Sequence, residues 1–135
     1  MTELLNAVNA VRAQARICGT TAMPATFALR WNAALASAAA AHATDLATGT
    51  PLGHISSNGA TMADRANAAG YQGTPLAENI AAGHPTVPIA VAGWLASPDH
   101  CHNMMNANIV EMGSACRYNA SSRYGFYWVI NFGHP

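Results

Sequence analysis

The hydrophobic period of this sequence changes from helix-like to strand-like in its last third, and that order limits the folds it can adopt. From Glu3 to Arg16, apolar residues recur every three or four positions, which is typical of an amphipathic helix that ends before Gly19. Residues 109–118 and 124–132 are instead rich in β-branched and aromatic side chains, and the turn candidate 119–122 between them predicts an antiparallel hairpin. Helices followed by strands favour an α+β fold, with helices packed on a small antiparallel sheet, over a regular βαβ alternation.

Capping residues predict where the later helices begin. A short polar side chain can accept from the free amides of a first helical turn, and proline is favoured at the first helical position. Asn32 precedes an alanine-rich helix that ends before Gly49 and Pro51. Between the helices, residues 20–29 predict a connection without regular structure, and residues 77–80 predict a short strand. The other predicted helix starts are Thr61 with Asp64 three residues on, Thr86 ahead of Pro88, and Ser97 ahead of Pro98.

Composition and charge exclude several classes of protein. The 135 residues suit a single domain, residues 1–135, and 51% of them are hydrophobic, which is enough for a core. Six basic residues, all arginine, balance six acidic ones, so the sequence lacks the basic surface of a nucleic-acid-binding protein and the net charge of a disordered chain. No apolar run approaches the ~20 residues of a membrane span. The N-terminus lacks an export-signal pattern, so we expect a secreted form to have lost its signal.

The histidines form the largest reservoir of functional groups in so lightly charged a chain. His42 lies on the apolar side of its predicted helix, which predicts a buried, hydrogen-bonded core histidine. His84 and His134 lie in a loop and in the C-terminal tail, where we expect exposed side chains. His54 lies in a glycine-flanked loop that could direct its ring into a cleft, and the residue pattern leaves it open between a functional and an exposed histidine.

A second pair of histidines lies at the start of the last predicted helix. His100 and His102 are two positions apart, so both cannot face one site from a regular helix. The positive end of a helix favours the neutral imidazole, which makes His100, the one closer to the cap, the better candidate. Cys101 between them could serve as a nucleophile only if an adjacent histidine faced it, which helix geometry disfavours.

Glu78 is the least ordinary acidic residue because its surroundings in the sequence are apolar. Ionised carboxylates are rarely buried unless they are paired, so Glu78 is interpreted either as a functional group or as the partner of Arg65 in a buried salt bridge. Glu111 lies in a predicted strand, where we expect it on the solvated side. The three cysteines allow one disulfide and one free thiol, and none lies in a CxxC pair typical of structural zinc.

The order and spacing of several segments resemble the CAP superfamily, which comprises cysteine-rich secretory proteins, antigen 5 and plant pathogenesis-related proteins. The chain is most similar to the short bacterial form, and the resemblance covers essentially its whole length. The segments are Trp31, 41–47, His54, Arg65 with 69–71, 78–83, 94–100, 111–113 and Tyr127-Trp128.

The resemblance implies an α-β-α sandwich whose central cavity is lined by two histidines and two glutamates. By matching motifs, three of these are His54, Glu78 and His100, and Ser97 stands at the position of the second glutamate. It implies a site for zinc or another divalent cation on His54 and His100, with Glu78 as orienter or general base. It also implies a Cys18–Cys101 disulfide with Cys116 free, the alternative being Cys101–Cys116.

The function expected from this resemblance is a secreted or periplasmic binding module, monomeric, for a divalent metal, a small molecule or a lipid-like ligand. The alternative is a metal-dependent, peptidase-like hydrolase with His54, Glu78 and His100 as catalytic residues. Two protein ligands fall short of the three typical of catalytic zinc, which favours binding over catalysis.

Overall fold

The computed structural model describes residues 2–135, which form six strands and five helices. In chain order the elements are α1 (Thr2–Arg12), β1 (Arg16–Cys18), β2 (Thr21–Met23), β3 (Arg30–Trp31), α2 (Ala33–Ala47), α3 (Met62–Ala68), β4 (Thr74–Ala82), α4 (Val87–Leu95), α5 (Pro98–Met105), β5 (Glu111–Tyr118) and β6 (Phe126–His134).

A four-stranded sheet in the order β3-β5-β6-β4 forms the middle layer. The predicted hairpin β5–β6 is antiparallel, β4 pairs antiparallel with β6 at one edge, and the short β3 runs parallel to β5 at the other. Helix α2 packs on one face of the sheet with α3 beside it, whereas α1, α4 and α5 pack together and α4 and α5 contact β4. The α+β fold predicted from the sequence pattern and the α-β-α sandwich implied by the family resemblance are confirmed, and both helical layers contact the edge strand β4.

The predicted helix starts are confirmed, with one difference in chemistry. The Asn32 side chain accepts from two amides of α2, and Thr61 and Asp64 form a reciprocal capping box at α3. Thr86 accepts from the third residue of α4. Ser97 occupies the N-cap position of α5, but its hydroxyl makes no capping hydrogen bond, so its predicted side-chain cap is wrong.

The segment after α1 is more ordered than the sequence predicted. Helix α1 ends at Arg12 rather than Arg16, and the next residues form a two-stranded hairpin, β1–β2, where a plain connection was expected. Gly19, at φ +63°, supplies the left-handed residue that its turn requires. Cys18 at the end of β1 forms a disulfide with Cys101 in α5, which confirms the predicted pairing, and Cys116 is free.

A fully buried arginine fixes α5, the helix that carries His100, against α1. The Arg12 guanidinium donates to four backbone carbonyls, and burial lowers its pKa to about 10. Two of the carbonyls lie at the C-terminal end of α5, where the free carbonyls of a helix need donors. The acceptors are Phe27 O (2.8 Å), Met104 O (2.7 Å), Asn106 O (2.9 Å) and Ile109 O (3.3 Å).

Candidate functional site

The Glu78 carboxylate is the centre of a buried polar cluster under the edge strand β4. Glu78 is 6% exposed, and its Oε1 lies 2.8 Å from Nδ1 of His54. Its Oε2 accepts from Arg65 Nη2 at 2.6 Å. The Asn131 side chain is oriented with its amide nitrogen toward the carboxylate, because this orientation satisfies both ends of the amide. Its nitrogen donates to Oε2 (2.7 Å), and its oxygen accepts from the Ala39 N–H (3.2 Å). The interpretation of Glu78 as the buried salt-bridge partner of Arg65 is therefore confirmed, and the same carboxylate also bonds His54.

The hydrogen bond to Glu78 fixes the tautomer of His54. A carboxylate only accepts, so the proton of the neutral His54 ring is on Nδ1 and Nε2 keeps its lone pair. The His54 side chain is 57% exposed. One ring nitrogen of this largely exposed side chain is therefore held by a buried acid, and Nε2 is the nitrogen that makes no hydrogen bond to Glu78.

Arg65 ties the loop that carries His54 to helix α3. Its Nη1 donates to His54 O (2.9 Å), Ser56 Oγ (2.9 Å) and Ala60 O (3.1 Å), while Nη2 reaches Glu78. The Arg65 side chain is 5% exposed, so these bonds form away from solvent. One buried guanidinium thus organises a loop, a helix and a strand around His54.

His42 on α2 is fully buried and hydrogen-bonded, as predicted. Its Nε2 lies 2.7 Å from Gly53 O, and its Nδ1 lies 3.4 Å from Ser56 Oγ. Burial, reinforced by the charge of Arg65, lowers the pKa of His42 below 6.5, although the bond to Gly53 opposes this. His42 is therefore held in its neutral form at neutral pH.

The residue after Glu78 fixes the other side of the site. Asn79 is fully buried and donates through Nδ2 to His100 O (3.1 Å), while its Oδ1 accepts from Asn103 Nδ2 (2.9 Å). Successive side chains of a strand point to opposite faces, so Glu78 and Asn79 face different helical layers. The edge strand β4 therefore bonds the His54 side chain through Glu78 and helix α5 through Asn79.

Burial and two nearby charges act on the pKa of His100 at the start of α5. Burial lowers the pKa of His100 below 6.5, the charge of His54 lowers it further, and Asp99 opposes both. A hydrogen bond joins His54 to Glu78, and the next residue of the strand, Asn79, bonds the backbone carbonyl of His100. Within residues 2–135, no three His, Cys, Asp or Glu side chains are grouped so that they could hold a metal ion.

Sequence comparison supplies the family. The sequence model of the cysteine-rich secretory protein (CAP) family matches residues 5–132. The chain belongs to this family. Residues His54, Glu78 and His100 all fall within the matched range. A search of curated proteins found no match.

Solved structures share the CAP fold at low sequence identity. An extracellular protein containing an SCP domain from Bacillus anthracis has a TM-score of 0.81 and 24% identity, covering 100% of this chain and 40% of that one. An outer surface protein from Borrelia burgdorferi has a TM-score of 0.75 and 18% identity, with coverage of 98% and 87%. Venom allergen-like protein 4 from Schistosoma mansoni has a TM-score of 0.64 and 16% identity, with coverage of 98% and 84%. This CAP chain thus spans less than half of the Bacillus protein, and in the described residues no helix is long and apolar enough to cross a bilayer.

Other sequence predictions for this CAP domain have mixed outcomes. His134 is exposed as expected, but His84 is half-buried, because its ring lies against Gly93. Cys101 is in the disulfide, which removes it as a nucleophile. Glu111 is not on a solvated face: its side chain is 14% exposed and accepts from Tyr71 OH at 2.9 Å.

Two residues of the cluster were missed by sequence reasoning. Ser56 was assigned only to a turn, and nothing in its local sequence indicates that it links Arg65 to His42. Asn131 is the single polar residue in the apolar run 127–132, and a polar residue in a buried strand was a usable signal of a specific partner.

A cavity of about 500 Å³ lies beside the cluster, between α2 and α3. Arg65 and Ser56 contribute to its wall, together with Asp45 and Asp64, whereas neither His54 nor His100 does. The side chains of His54 and His100 therefore do not line this cavity.

Proposed function

We propose that this CAP-domain protein is a secreted binding protein that holds a divalent cation, zinc or a similar ion, between His54 and His100. The observation that carries the proposal is the 2.8 Å hydrogen bond between His54 Nδ1 and Glu78 Oε1. Histidines that bind metals usually donate their other N–H to a carboxylate or carbonyl, which fixes the tautomer and directs the free nitrogen outward. His54 has this arrangement, and Arg65 and Asn131 keep the carboxylate in place.

The donor set fits a weak cation site better than a tight one. Burial of His100 keeps its pKa low, so its ring is neutral at neutral pH, the form that binds metals. Two imidazoles leave the remaining coordination positions to water, whereas catalytic zinc sites usually have three protein ligands. We therefore expect reversible binding that weakens as the pH falls and the rings become protonated.

Apolar side chains beside His54 favour an additional small or lipid-like ligand. Leu52 and Ile55, on the same loop, are 49% and 53% exposed. They could cover an apolar group while His54 contacts a polar one, the combination typical of binding sites for small molecules.

Hydrolysis is the second candidate, and the Glu78–His54 pair favours it. A carboxylate that holds Nδ1–H leaves His54 Nε2 able to accept a proton from a water molecule, the task of a general base. A bound divalent cation would supply a water of lowered pKa. In this case Glu78 would orient His54, and His100 would hold the ion.

Secretion is supported by the disulfide and by the relatives. A Cys18–Cys101 bridge persists in oxidising compartments and is rare in the cytosol. The Bacillus relative is described as extracellular and the Borrelia relative as an outer surface protein.

Calorimetric zinc titration at fixed pH tests the proposal. Wild-type protein should bind about one zinc ion, and His54→Ala and His100→Ala should each weaken binding by at least ~10-fold, as the loss of one ligand predicts. The matched control is His134→Ala, which removes an exposed histidine of the tail and should change nothing. Binding that is absent in the wild type, or equally reduced by the control, would refute the cation site. If a lipid-like ligand stays bound to His54→Ala, the result would instead support binding by the apolar side chains Leu52 and Ile55 alone. If the wild type shows hydrolase turnover that His54→Ala loses, the result would support hydrolysis.

A further inference from the structure

We propose that His42 is a positioning residue of this site: its Nε2–H holds the carbonyl before His54 and thereby fixes the direction of the His54 ring. The inference rests on the proposed function only where cation affinity is used as a measure of ring direction.

The hydrogen bonds of His42 define one tautomer. A carbonyl only accepts, so the 2.7 Å contact with Gly53 O puts the proton of His42 on Nε2. Nδ1 is then an acceptor, and the Ser56 hydroxyl, 3.4 Å away, is positioned to donate to it. The same hydroxyl accepts from Arg65 Nη1. The bonds therefore run in one direction, from Arg65 through Ser56 to His42 and on to Gly53.

The two carbonyls that flank the His54 residue are held from different helices. His42 on α2 holds Gly53 O, and Arg65 on α3 holds His54 O at 2.9 Å. The His54 side chain is 57% exposed and so has little packing to hold it. Its direction must come from its backbone and from the bond to Glu78, and a glycine at position 53 leaves that backbone free unless it is held.

A packing role alone does not explain a histidine at this position. A buried polar side chain costs free energy unless its hydrogen bonds are made, and an apolar residue of similar size would fill the same space on α2 without that cost. Both bonds of His42 go to the loop 53–56, and neither goes to the helix or the sheet. Its polar atoms therefore act on the loop that carries His54.

Two substitutions separate positioning from packing. His42→Leu keeps the volume and removes both bonds, whereas His42→Gln keeps a side-chain N–H that can reach Gly53 O. His134→Gln is the control, because that side chain is exposed and distant in sequence from the loop. Hydrogen exchange is measured at the Ser56 and Ser57 amides, which bond to Ala60 O and Asp45 Oδ2, and at the buried amides of β6.

The proposal expects loop exchange in His42→Leu to rise by at least ~10-fold while β6 stays unchanged, since local opening reports local contacts. His42→Gln should restore slow exchange, and zinc affinity should fall by about 10–100-fold in His42→Leu but not in His42→Gln. Equal rises in the loop and in β6, or no difference between the two variants, would overturn it. If wild-type protein binds no zinc, the cation proposal fails and the exchange comparison still decides the role of His42. If His42→Leu does not fold, nitrogen NMR of wild-type His42 decides: a proton on Nε2 supports the proposal and a proton on Nδ1 overturns it.

Discussion

Glu78 and Arg65 form a buried ion pair, with Oε2 2.6 Å from Nη2 and side chains only 2% and 5% exposed. The two residues come from the edge strand β4 and from helix α3, so the pair joins the sheet to one helical layer. The same carboxylate holds His54 through its other oxygen. One buried carboxylate therefore contacts both the helix α3, through Arg65, and the loop that carries His54.

Breaking this pair should be costly. Arg65→Met leaves the Glu78 charge buried without its main partner, and we expect a loss of about 3–5 kcal/mol in the free energy of unfolding, measured by urea denaturation. Arg30→Met is the matched control: Arg30 is 67% exposed and lies 3.9 Å from Glu111, so its loss should cost about 0–1 kcal/mol. Similar costs for the two variants would contradict the buried pair.

Ser97→Glu should strengthen cation binding at little cost in stability. Ser97 stands at the position where the family resemblance implies a second glutamate, and its hydroxyl makes no cap bond that the substitution would break. A carboxylate is also favourable near the start of α5. Calorimetry at fixed pH should show tighter zinc binding than in the wild type, and Ser97→Gln is the control for size without charge. Unchanged affinity in Ser97→Glu would mean that position 97 does not face the site.

Removing the disulfide should destabilise the domain strongly. The Cys18–Cys101 bridge spans 83 residues of sequence, and cross-links over such loops contribute about 2–5 kcal/mol. The double variant Cys18→Ala/Cys101→Ala should lose that amount in urea unfolding, and Cys116→Ala much less, since Cys116 is free. Peptide mapping without reduction checks the pairing directly. Burial raises the pKa of the Cys116 thiol, so its alkylation at neutral pH should be slow.

Stability should fall in mildly acidic solution. Burial lowers the pKa of His42 and of His100 below 6.5 in the folded state. At pH values between each lowered pKa and the ordinary value of 6.5, the unfolded chain therefore binds more protons than the folded chain. The stabilising effect of the neutral rings is complete above pH 6.5 and is lost as the pH falls toward the folded-state pKa values. His42→Gln should flatten the dependence of unfolding free energy on pH in the window below about pH 6.5, and His134→Gln should not. A wild-type profile without slope in that window would contradict the buried neutral histidines.

Local chemistry made much of the fold predictable. The caps at Asn32, Thr61 and Thr86 depend on contacts over two or three residues, and the β5–β6 hairpin depends on a short turn between two β-rich runs. The β1–β2 hairpin was missed because its strands are too short to show a period. Ser97 shows that a favourable residue type at a cap position does not ensure the bond, since the hydroxyl can rotate away.

The sequence by itself determined the order of helices and strands and the helix starts, since these depend on residue types at short spacing. The choice of His54, Glu78 and His100 as a set followed from the resemblance of the whole sequence to the CAP family. Only the tertiary structure decided which groups meet. Arg65, Asn131 and His54 reach Glu78 from a helix, a neighbouring strand and a loop, and His42 reaches that loop from another helix. Such contacts depend on how the layers pack, because residues distant in the chain approach within hydrogen-bond distance only after apolar faces have been buried.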